Sequence, residues 1–393
     1  MMYKSFVITA ALILMIVQCC QANKSVSLLR YVENETRMVV VCDSLNDKNN
    51  LSIEIALWDT EQKSIVWQTP LNVPELPKSF HSEYIASSLD LCISKDGNTI
   101  IIAISSYGLL CIDYRTGRLI KLKFVDFHVI AGDSKSLLGA VAFSNDKEYV
   151  AVCGCYSRSV YVLNLETILQ DSSSIIDAGF SNQPSLIKIS FELMALVRFT
   201  CLRFSSEDSI LYTGTENGFF YGWQVNGESS YDAIFTRRLG SSNNLFNDLW
   251  SIDSNDSCII TTSYSFPKYG QVQWWKREGV VLIKSYADFP QTTAKRIKLN
   301  AKGNFLVITS DICYILCSTD NTGITELYRI YLGGMAYLFE NLGSVAFSTK
   351  EDVVALGIGA NIYLFDCITG EITQSFYPVK VLPTVRNLLL EKN

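Results

Sequence analysis

The chain has 393 residues, a net charge of −6 at pH 7 and a hydrophobic content of 48%. With only 18% charged residues, this composition excludes an intrinsically disordered chain. The 33 basic residues are outnumbered by 39 acidic residues and do not cluster, which argues against a nucleic-acid-binding surface. No long Pro-, Gly- or Ser-rich tract divides the chain, so its length favours a closed array of repeats over two separate domains.

The first 22 residues have the pattern of a secretory signal peptide. A single Lys4 precedes an uncharged apolar run of 15 residues from Phe6 to Cys20, and the small residues Cys20 and Ala22 suit cleavage after position 22. As a helix this run would span about 22 Å, short of the ~30 Å hydrocarbon core of a membrane. We therefore expect a cleaved signal peptide over residues 1–22, no stable membrane span after cleavage, and a protein that is secreted or lies in the lumen of the secretory pathway. An uncleaved anchor and a buried strand are the alternatives.

Four Asn-x-Ser/Thr sequons are candidate N-glycosylation sites. They lie at Asn23, Asn34, Asn50 and Asn255, in or beside polar sequence. These sequons have a meaning only if the chain enters the secretory pathway.

Ten of the 12 cysteines lie outside the signal peptide. Most fall in apolar strand patterns, where a thiol packs as a small hydrophobic group. The pairs Cys153 with Cys155 and Cys313 with Cys317 leave one or two disulfides open in an oxidising compartment. The chain has only two histidines and no Cys-x-x-Cys pair, so we expect no zinc site.

A unit of four short strands recurs along the chain, and its clearest copy runs from Gly343 to Phe376. An apolar strand meets a polar turn, an almost wholly apolar second strand (Val353 to Ile358) follows, and a Thr-Gly turn reverses the chain between the third and fourth strands. The ends of the third strands are 42 to 60 residues apart, near the spacing of propeller repeats. Seven units result, at about 27–69, 86–124, 138–192, 198–238, 248–287, 294–332 and 342–376.

The second strands of these units are continuous apolar runs instead of alternating patterns. A strand has that composition when both of its faces are covered, as between two neighbouring blades. The predicted fold is therefore all-β: a monomeric, seven-bladed β-propeller of four-stranded antiparallel blades. We expect part of the short tail, Val379 to Leu382 or Val385 to Leu390, to pair with the first unit and close the ring.

The units resemble WD40 repeats. Leu57-Trp58-Asp59, Ile112-Asp113 and Phe365-Asp366 match the Trp-Asp position of that family, and a Phe-Ser before a polar turn matches its entry to the second strand. The turns Asp113 to Gly117 and Asp366 to Gly370 are also similar to quinoprotein-type propeller repeats. Both resemblances imply a propeller. No unit has the Gly-His pair of WD40 repeats, so we expect their His, Ser/Thr, Asp, Trp hydrogen-bond network to be absent.

Sequence patterns for catalysis are missing. The chain has no Gly-x-Ser-x-Gly elbow, no Walker A sequence and no dinucleotide fingerprint. The paired carboxylates Asp253 with Asp256 and Glu207 with Asp208 are predicted to lie in turns as solvated surface. We therefore predict no catalytic residue, no cofactor and no metal.

A protein-binding face is the better supported site. The connections between second and third strands gather on one face of a propeller, and aromatic and Arg side chains are enriched at binding hot spots. The stretch from Ser263 to Gly270 is the strongest candidate, since we expect it to form a long loop with three aromatics and a Lys. The predicted partner-binding residues are Tyr107, Tyr156, Arg158, Phe219, Tyr264, Phe266, Lys268 and Tyr269.

These patterns favour a non-catalytic scaffold for protein partners in the secretory pathway. A quinoprotein-like enzyme or redox pseudo-enzyme is the first alternative, because of the Asp-x-x-Thr-Gly turns. An intracellular WD40 scaffold, whose apolar N-terminus is no signal peptide, is the second.

Overall fold

The computed structural model shows a ring of seven β-sheets. The residues that it describes are 24–32, 36–45, 51–72, 88–104, 108–126, 138–154, 159–171, 175–177, 186–190, 199–225, 233–239, 247–265, 268–286, 294–310, 313–320, 323–331, 344–348, 352–358 and 361–376. The predicted signal peptide and the predicted closing tail lie outside these residues. In the part of the chain that is described, no helix is long and apolar enough to cross a membrane.

The first three blades occupy the N-terminal half of the chain. Blade 1 comprises β1 (Lys24–Val32), β2 (Arg37–Leu45), β3 (Leu51–Asp59) and β4 (Ser64–Asn72). Blade 2 comprises β5 (Ser88–Ile93), β6 (Thr99–Ile104), β7 (Gly108–Asp113) and β8 (Leu119–Asp126). The blade 3 segment contains β9 (Leu138–Phe143), β10 (Tyr149–Gly154), β11 (Ser159–Asn164), helix α1 (Leu165–Gln170), β12 (Ile175–Asp177) and β13 (Leu186–Ser190).

Four further blades complete the ring. Blade 4 comprises β14 (Phe199–Phe204), β15 (Ile210–Thr215), β16 (Phe219–Gln224) and β17 (Phe235–Arg238). Blade 5 comprises β18 (Asn247–Ser254), β19 (Cys258–Ser265), β20 (Lys268–Lys276) and β21 (Val281–Tyr286). Blade 6 comprises β22 (Ala294–Leu299), β23 (Phe305–Ser310), β24 (Cys313–Asp320) and β25 (Gly323–Tyr331). Blade 7 comprises β26 (Val345–Phe347), β27 (Val353–Ile358), β28 (Asn361–Asp366) and β29 (Ile372–Phe376).

The second strand of each blade is buried on both faces, as the apolar runs predict. In β2, Val39 and Val41 pack toward blade 2, whereas Met38 and Val40 pack toward blade 7. The described residues form seven apolar clusters, one at each junction between neighbouring blades. Because each sheet buries both faces only against its neighbours, the prediction of a seven-bladed propeller is confirmed.

Side-chain packing joins the last blade to the first. Val26 and Met38 of blade 1 share a buried cluster with Ala346 and Ala355 of blade 7. The Ser344 hydroxyl also donates to the Val26 carbonyl at 3.3 Å. Each of these two blades takes its four strands from one contiguous stretch of the chain.

One turn recurs between the first and second strands. The Ser144 hydroxyl accepts from the Tyr149 amide at 2.8 Å, and the Ser205 hydroxyl accepts from the Ile210 amide at 3.1 Å. The same bond is made by Ser94, Asn300 and Ser348. A polar side chain at this position therefore satisfies a backbone donor where the strand begins, which explains the repeated Phe-Ser in the sequence.

Blade 2 departs from the predicted four-stranded antiparallel pattern. β12, from the long connection between β11 and β13, pairs in parallel with the end of β8, which makes a fifth strand. The buried Lys123 of β8 donates to the Asp171 carbonyl at 2.7 Å, just after α1, and thereby ties this connection to blade 2. The prediction is wrong for this blade because a three-residue parallel strand inside a polar connection gives no periodic signal.

Candidate interaction face

Two ends of the ring are distinguished by their connections. We call the end where second and third strands meet the hairpin face, and the end where first and second strands meet the turn face. Of the predicted partner-binding residues, Tyr107, Tyr156, Arg158 and Phe266 lie outside the described residues. Tyr264, Lys268 and Tyr269 lie on the strands of blade 5, whose backbone alone is described there.

Blade 5 projects on the hairpin face as a strand hairpin. The predicted loop from Ser263 to Gly270 is mostly strand, because β19 runs to Ser265 and β20 begins at Lys268, and these two residues pair. β18 and β19 are eight residues long, against six for β14 and β15 in blade 4. At ~3.3 Å per residue, the two extra residues extend blade 5 by about 7 Å. The expectation of a loop is therefore wrong, since the alternating Tyr and Ser side chains suit a strand equally well.

Phe219 is the predicted site residue whose side chain the structure describes. It begins β16 on the hairpin face and is half-buried against the cluster between blades 3 and 4. Its ring stacks on Tyr221, with centroids 5.9 Å apart, and Tyr221 stacks on Trp223 at 5.6 Å. The exposed Arg238 lies over the Phe219 ring, with its guanidinium carbon 5.7 Å from the centroid. The stacked rings of Tyr221 and Trp223 pack inside the blade, whereas Phe219 and Arg238 present an aromatic ring and a cation together on the surface.

Asn255 is the sequon residue that falls in the described structure, and it lies in the turn between β18 and β19. It is 6% exposed. Its side-chain oxygen accepts from the amides of Ser257 and Cys258, both at 2.9 Å. Its amide nitrogen packs against Gly303, where a Cβ would lie 1.8 Å from that nitrogen. A glycan on Asn255 would therefore have to displace blade 6. Asn23, Asn34 and Asn50 lie outside the described residues, and glycosylation remains a prediction.

Charged side chains from the first strands meet at the axis of the ring. The first strands of neighbouring blades contact one another around this axis. Arg203 of blade 4 pairs with Asp253 of blade 5 at 2.8 Å, and Lys298 of blade 6 lies 3.8 Å from the same carboxylate. The Asp253 carboxylate also accepts from the Leu299 amide at 2.8 Å. We call Arg203, Asp253 and Lys298 the axial triad.

The expectation that Asp253 lies in a turn as solvated surface is wrong. Asp253 lies within β18 and its side chain is 3% exposed, whereas the neighbouring Asp256 in the turn is 92% exposed. The other pair predicted to be solvated, Glu207 and Asp208, also differs in exposure. Glu207 is exposed, whereas Asp208 is buried and accepts from the amides of Asn145 and Asp146, both at 2.8 Å. Both buried carboxylates link neighbouring blades.

The charges of the axial triad shift the pKa values of its members. Burial favours the neutral form of Asp253, but the charges of Arg203 and Lys298 and two backbone amides outweigh it, so the pKa of this carboxyl is lowered. Repulsion by Arg203 is the main reason why the pKa of Lys298 is lowered, and Asp253 opposes it. Arg30 and Asp90, on the first strands of blades 1 and 2, also act on Lys298.

Part of the WD40 hydrogen-bond network is present in two blades. The Trp223 indole donates to the Thr213 hydroxyl at 2.9 Å, and the Trp275 indole donates to the Thr261 hydroxyl at 3.0 Å. Both bonds join the third strand to the second inside the blade core. The expectation that the network is absent is therefore wrong for its Thr-Trp part, which does not depend on the Gly-His pair.

Thiols and metal ligands offer no further site within the described chain. The structure records no disulfide among the nine cysteines that it describes, and eight of them are buried. Burial raises the pKa of Cys92 and Cys317 to about 12, so that little thiolate forms at neutral pH. Among the described residues, no group of three His, Cys, Asp or Glu side chains could hold a metal ion.

These features define the fold of the protein: a seven-bladed β-propeller. No protein-family model and no curated protein matches the chain. Among solved structures, it is similar to a chain of one described as "Crystal Structure of Mitotic Checkpoint Complex", with a TM-score of 0.57 and 11% sequence identity over 87% of this chain and 89% of that chain. In all, 1323 solved chains match, so the likeness shows a widespread fold and does not select a function.

Proposed function

We propose that this protein is a non-catalytic scaffold that binds protein partners on its hairpin face. The supporting observation is the pairing of the Phe219 ring with the exposed guanidinium of Arg238 at the end of blade 4. Aromatic and Arg side chains are enriched at hot spots of protein interfaces. The similar solved chain comes from a multiprotein complex, which is consistent with a binding role and does not name a partner for this chain.

Blade 5 lies next to this pair and adds to the proposed surface. Its hairpin extends about 7 Å beyond that of blade 4 at ~3.3 Å per residue. Tyr264, Lys268 and Tyr269 lie on that extension. A partner seated against blade 4 would therefore also meet the raised hairpin of blade 5, and the aromatic and basic composition of that segment favours a partner with a convex, partly acidic surface.

The test is a quantitative co-purification with matched charge reversals. The tagged full chain is compared with Arg238→Glu, on the hairpin face, and Lys302→Glu, in the exposed turn between β22 and β23 on the turn face. Both variants change the net charge by the same amount. We expect Arg238→Glu to recover at least tenfold less of each specific partner than the wild type, and Lys302→Glu to recover the same amount as the wild type. Equal recovery by both variants, with unchanged folding, would contradict the proposed face.

The compartment has two candidates. The N-terminal pattern supports the secretory pathway, whereas the lack of a disulfide among the described cysteines favours a reducing compartment and therefore an intracellular scaffold. Sequencing of the mature N-terminus decides between them. A start at Asn23, with a mass loss on glycosidase treatment, supports secretion, and a start at Met1 with no mass loss supports the intracellular alternative.

A further inference from the structure

The axis of the ring holds more described cations than anions. Arg30, Arg203 and Lys298 face two carboxylates, Asp90 and Asp253, although the chain as a whole has a net charge of −6. Each of these charges stands on a first strand, so the excess is concentrated at the centre of an acidic protein. Fields of one sign inside a concave, low-dielectric site raise the local concentration of the opposite ion.

The Asp253 carboxylate does not neutralise both cations of the axial triad. One oxygen lies 2.8 Å from the Arg203 Nε and accepts from the Ser254 amide at 3.0 Å, and the other accepts from the Leu299 amide at 2.8 Å. The Lys298 ammonium is 3.8 Å from this second oxygen, which is beyond hydrogen-bond distance. Because the triad contains two cations and one carboxylate, it has a net charge of +1.

Both cations remain accessible to a solute. The side chain of Lys298 is 37% exposed and that of Arg203 is 27% exposed, whereas that of Asp253 is 3% exposed. The carboxylate of the triad is therefore covered, whereas the Lys298 side chain and part of the Arg203 side chain are exposed, although the Arg203 Nε is itself buried. An anion bound between Arg203 and Lys298 would remove the repulsion that lowers the pKa of Lys298.

We propose that Arg203 and Lys298 form a binding site for one oxyanion at the axis of the propeller. A guanidinium binds two oxygens of a phosphate or carboxylate in parallel, and an ammonium adds a charge-assisted hydrogen bond. The ligand class is a small oxyanion, supplied as a free phosphate-type ion or as the carboxylate of an acidic molecule. This site is distinct from the hairpin face and does not depend on the proposed protein partner.

The opposing explanation is that the triad only ties blades 4, 5 and 6 together. Both explanations predict a loss of stability when a member is removed, so stability alone does not separate them. The separating property is the direction in which anion affinity changes when the net charge of the triad is lowered or raised.

The test is isothermal titration calorimetry of the folded full chain with sodium phosphate and, in a second arm, sodium succinate. Sodium chloride holds the ionic strength constant. We expect saturable binding to one site in at least one arm, and the stronger arm identifies whether the site prefers a tetrahedral oxyanion or a carboxylate. No binding in either arm would overturn the proposal.

Three variants assign the binding to the axis. Lys298→Gln removes one charge-assisted contact and should weaken binding about tenfold. Asp253→Asn preserves the shape of the buried side chain, raises the net charge of the triad and should tighten binding. Lys302→Gln removes the same charge from an exposed turn of the same blade and should leave the affinity unchanged. Equal affinities in Lys298→Gln and wild type would place the anion elsewhere and refute the site, and circular dichroism confirms that each variant is folded.

Discussion

Phe143→Ala is expected to destabilise the junction between blades 2 and 3 severely. Phe143 ends β9, is 4% exposed, and packs with Leu163 and Ile101 in the cluster between these blades. A Phe side chain buries ~150–250 Å², which at ~25 cal/mol per Å² corresponds to about 4–6 kcal/mol. Alanine retains part of this area, so we expect the free energy of unfolding to fall by about 3–5 kcal/mol.

The equivalent residue in blade 7, Phe347, allows the cost of truncation to be compared at a lower degree of burial. Phe347 occupies the same position in its repeat as Phe143, but it is only half-buried beside the cluster between blades 6 and 7. Phe347→Ala should therefore cost roughly half as much, about 1.5–2.5 kcal/mol. Ile368→Ala, at a side chain that is 71% exposed, should stay within ~0.5 kcal/mol of the wild type.

Urea unfolding followed by tryptophan fluorescence measures all three variants. The denaturant dependence of the unfolding free energy must be the same in each, because a change would mean that the blades no longer unfold together. The predicted order of destabilisation is Phe143→Ala, then Phe347→Ala, then Ile368→Ala. A loss below ~1 kcal/mol for Phe143→Ala would refute the argument that second strands and their neighbours form the core between blades.

Three further predictions concern single contacts. Tyr314→Phe removes the 2.6 Å hydrogen bond to the Gly357 carbonyl and should cost about 1–3 kcal/mol in the same urea assay, whereas no loss would mean that water replaces the hydroxyl. Gly357→Ala would place a Cβ 2.1 Å from the Ser344 hydroxyl and 2.7 Å from Val26. The backbone amides at the junction between the first and last blades should therefore exchange with solvent faster than in the wild type. Unchanged protection of these amides would contradict this. The folded pKa of Asp253 is lowered, so its ionised form stabilises the fold above its unfolded pKa, and this stabilisation is lost as the pH falls through the folded pKa. Asp253→Asn should therefore make the unfolding free energy depend less on pH in the acid range. An unchanged dependence would exclude this role.

The fold was predictable because its core strands are covered on both faces. A run such as Ile100 to Ile104 has no polar residue, and the second strands of the other blades stay mostly apolar and buried even where the Trp-Asp signature is lost, with a few buried Thr side chains in blades 4 to 6. The turns were equally visible, because a side-chain acceptor at Ser144 or Ser205 is a local requirement of the backbone. Neither feature depends on contacts between residues that are distant in sequence.

The axial triad was missed because its meaning depends on ring geometry. Asp253 and Lys298 are 45 residues apart, and only the closed ring brings their strands together. A signal did exist, since each of several first strands contains a charge among apolar residues, as at Arg30, Asp90 and Arg203. Taken together, the isolated charges in several first strands would have predicted a polar axis.

β12 and the hairpin of blade 5 could not be assigned for different reasons. The three residues of β12 pair with β8 of the preceding blade, and a strand that short is below any periodic signal. In the hairpin, Tyr264 and its neighbours suit a strand and a loop equally well. Strand pairing across the Phe266-Pro267 connection, not composition, decides between them.

The contact between Val26 and Ser344 has a consequence for the newly made chain. These residues are 318 positions apart, and at ~5–20 residues per second a ribosome needs roughly 15–60 seconds to produce the second after the first. During that interval the side of blade 1 formed by Val26, Met38 and Val40 has no blade 7 to cover it. This apolar surface of blade 1 therefore stays uncovered for most of the synthesis of the chain, and we expect a holding chaperone to bind it during that time.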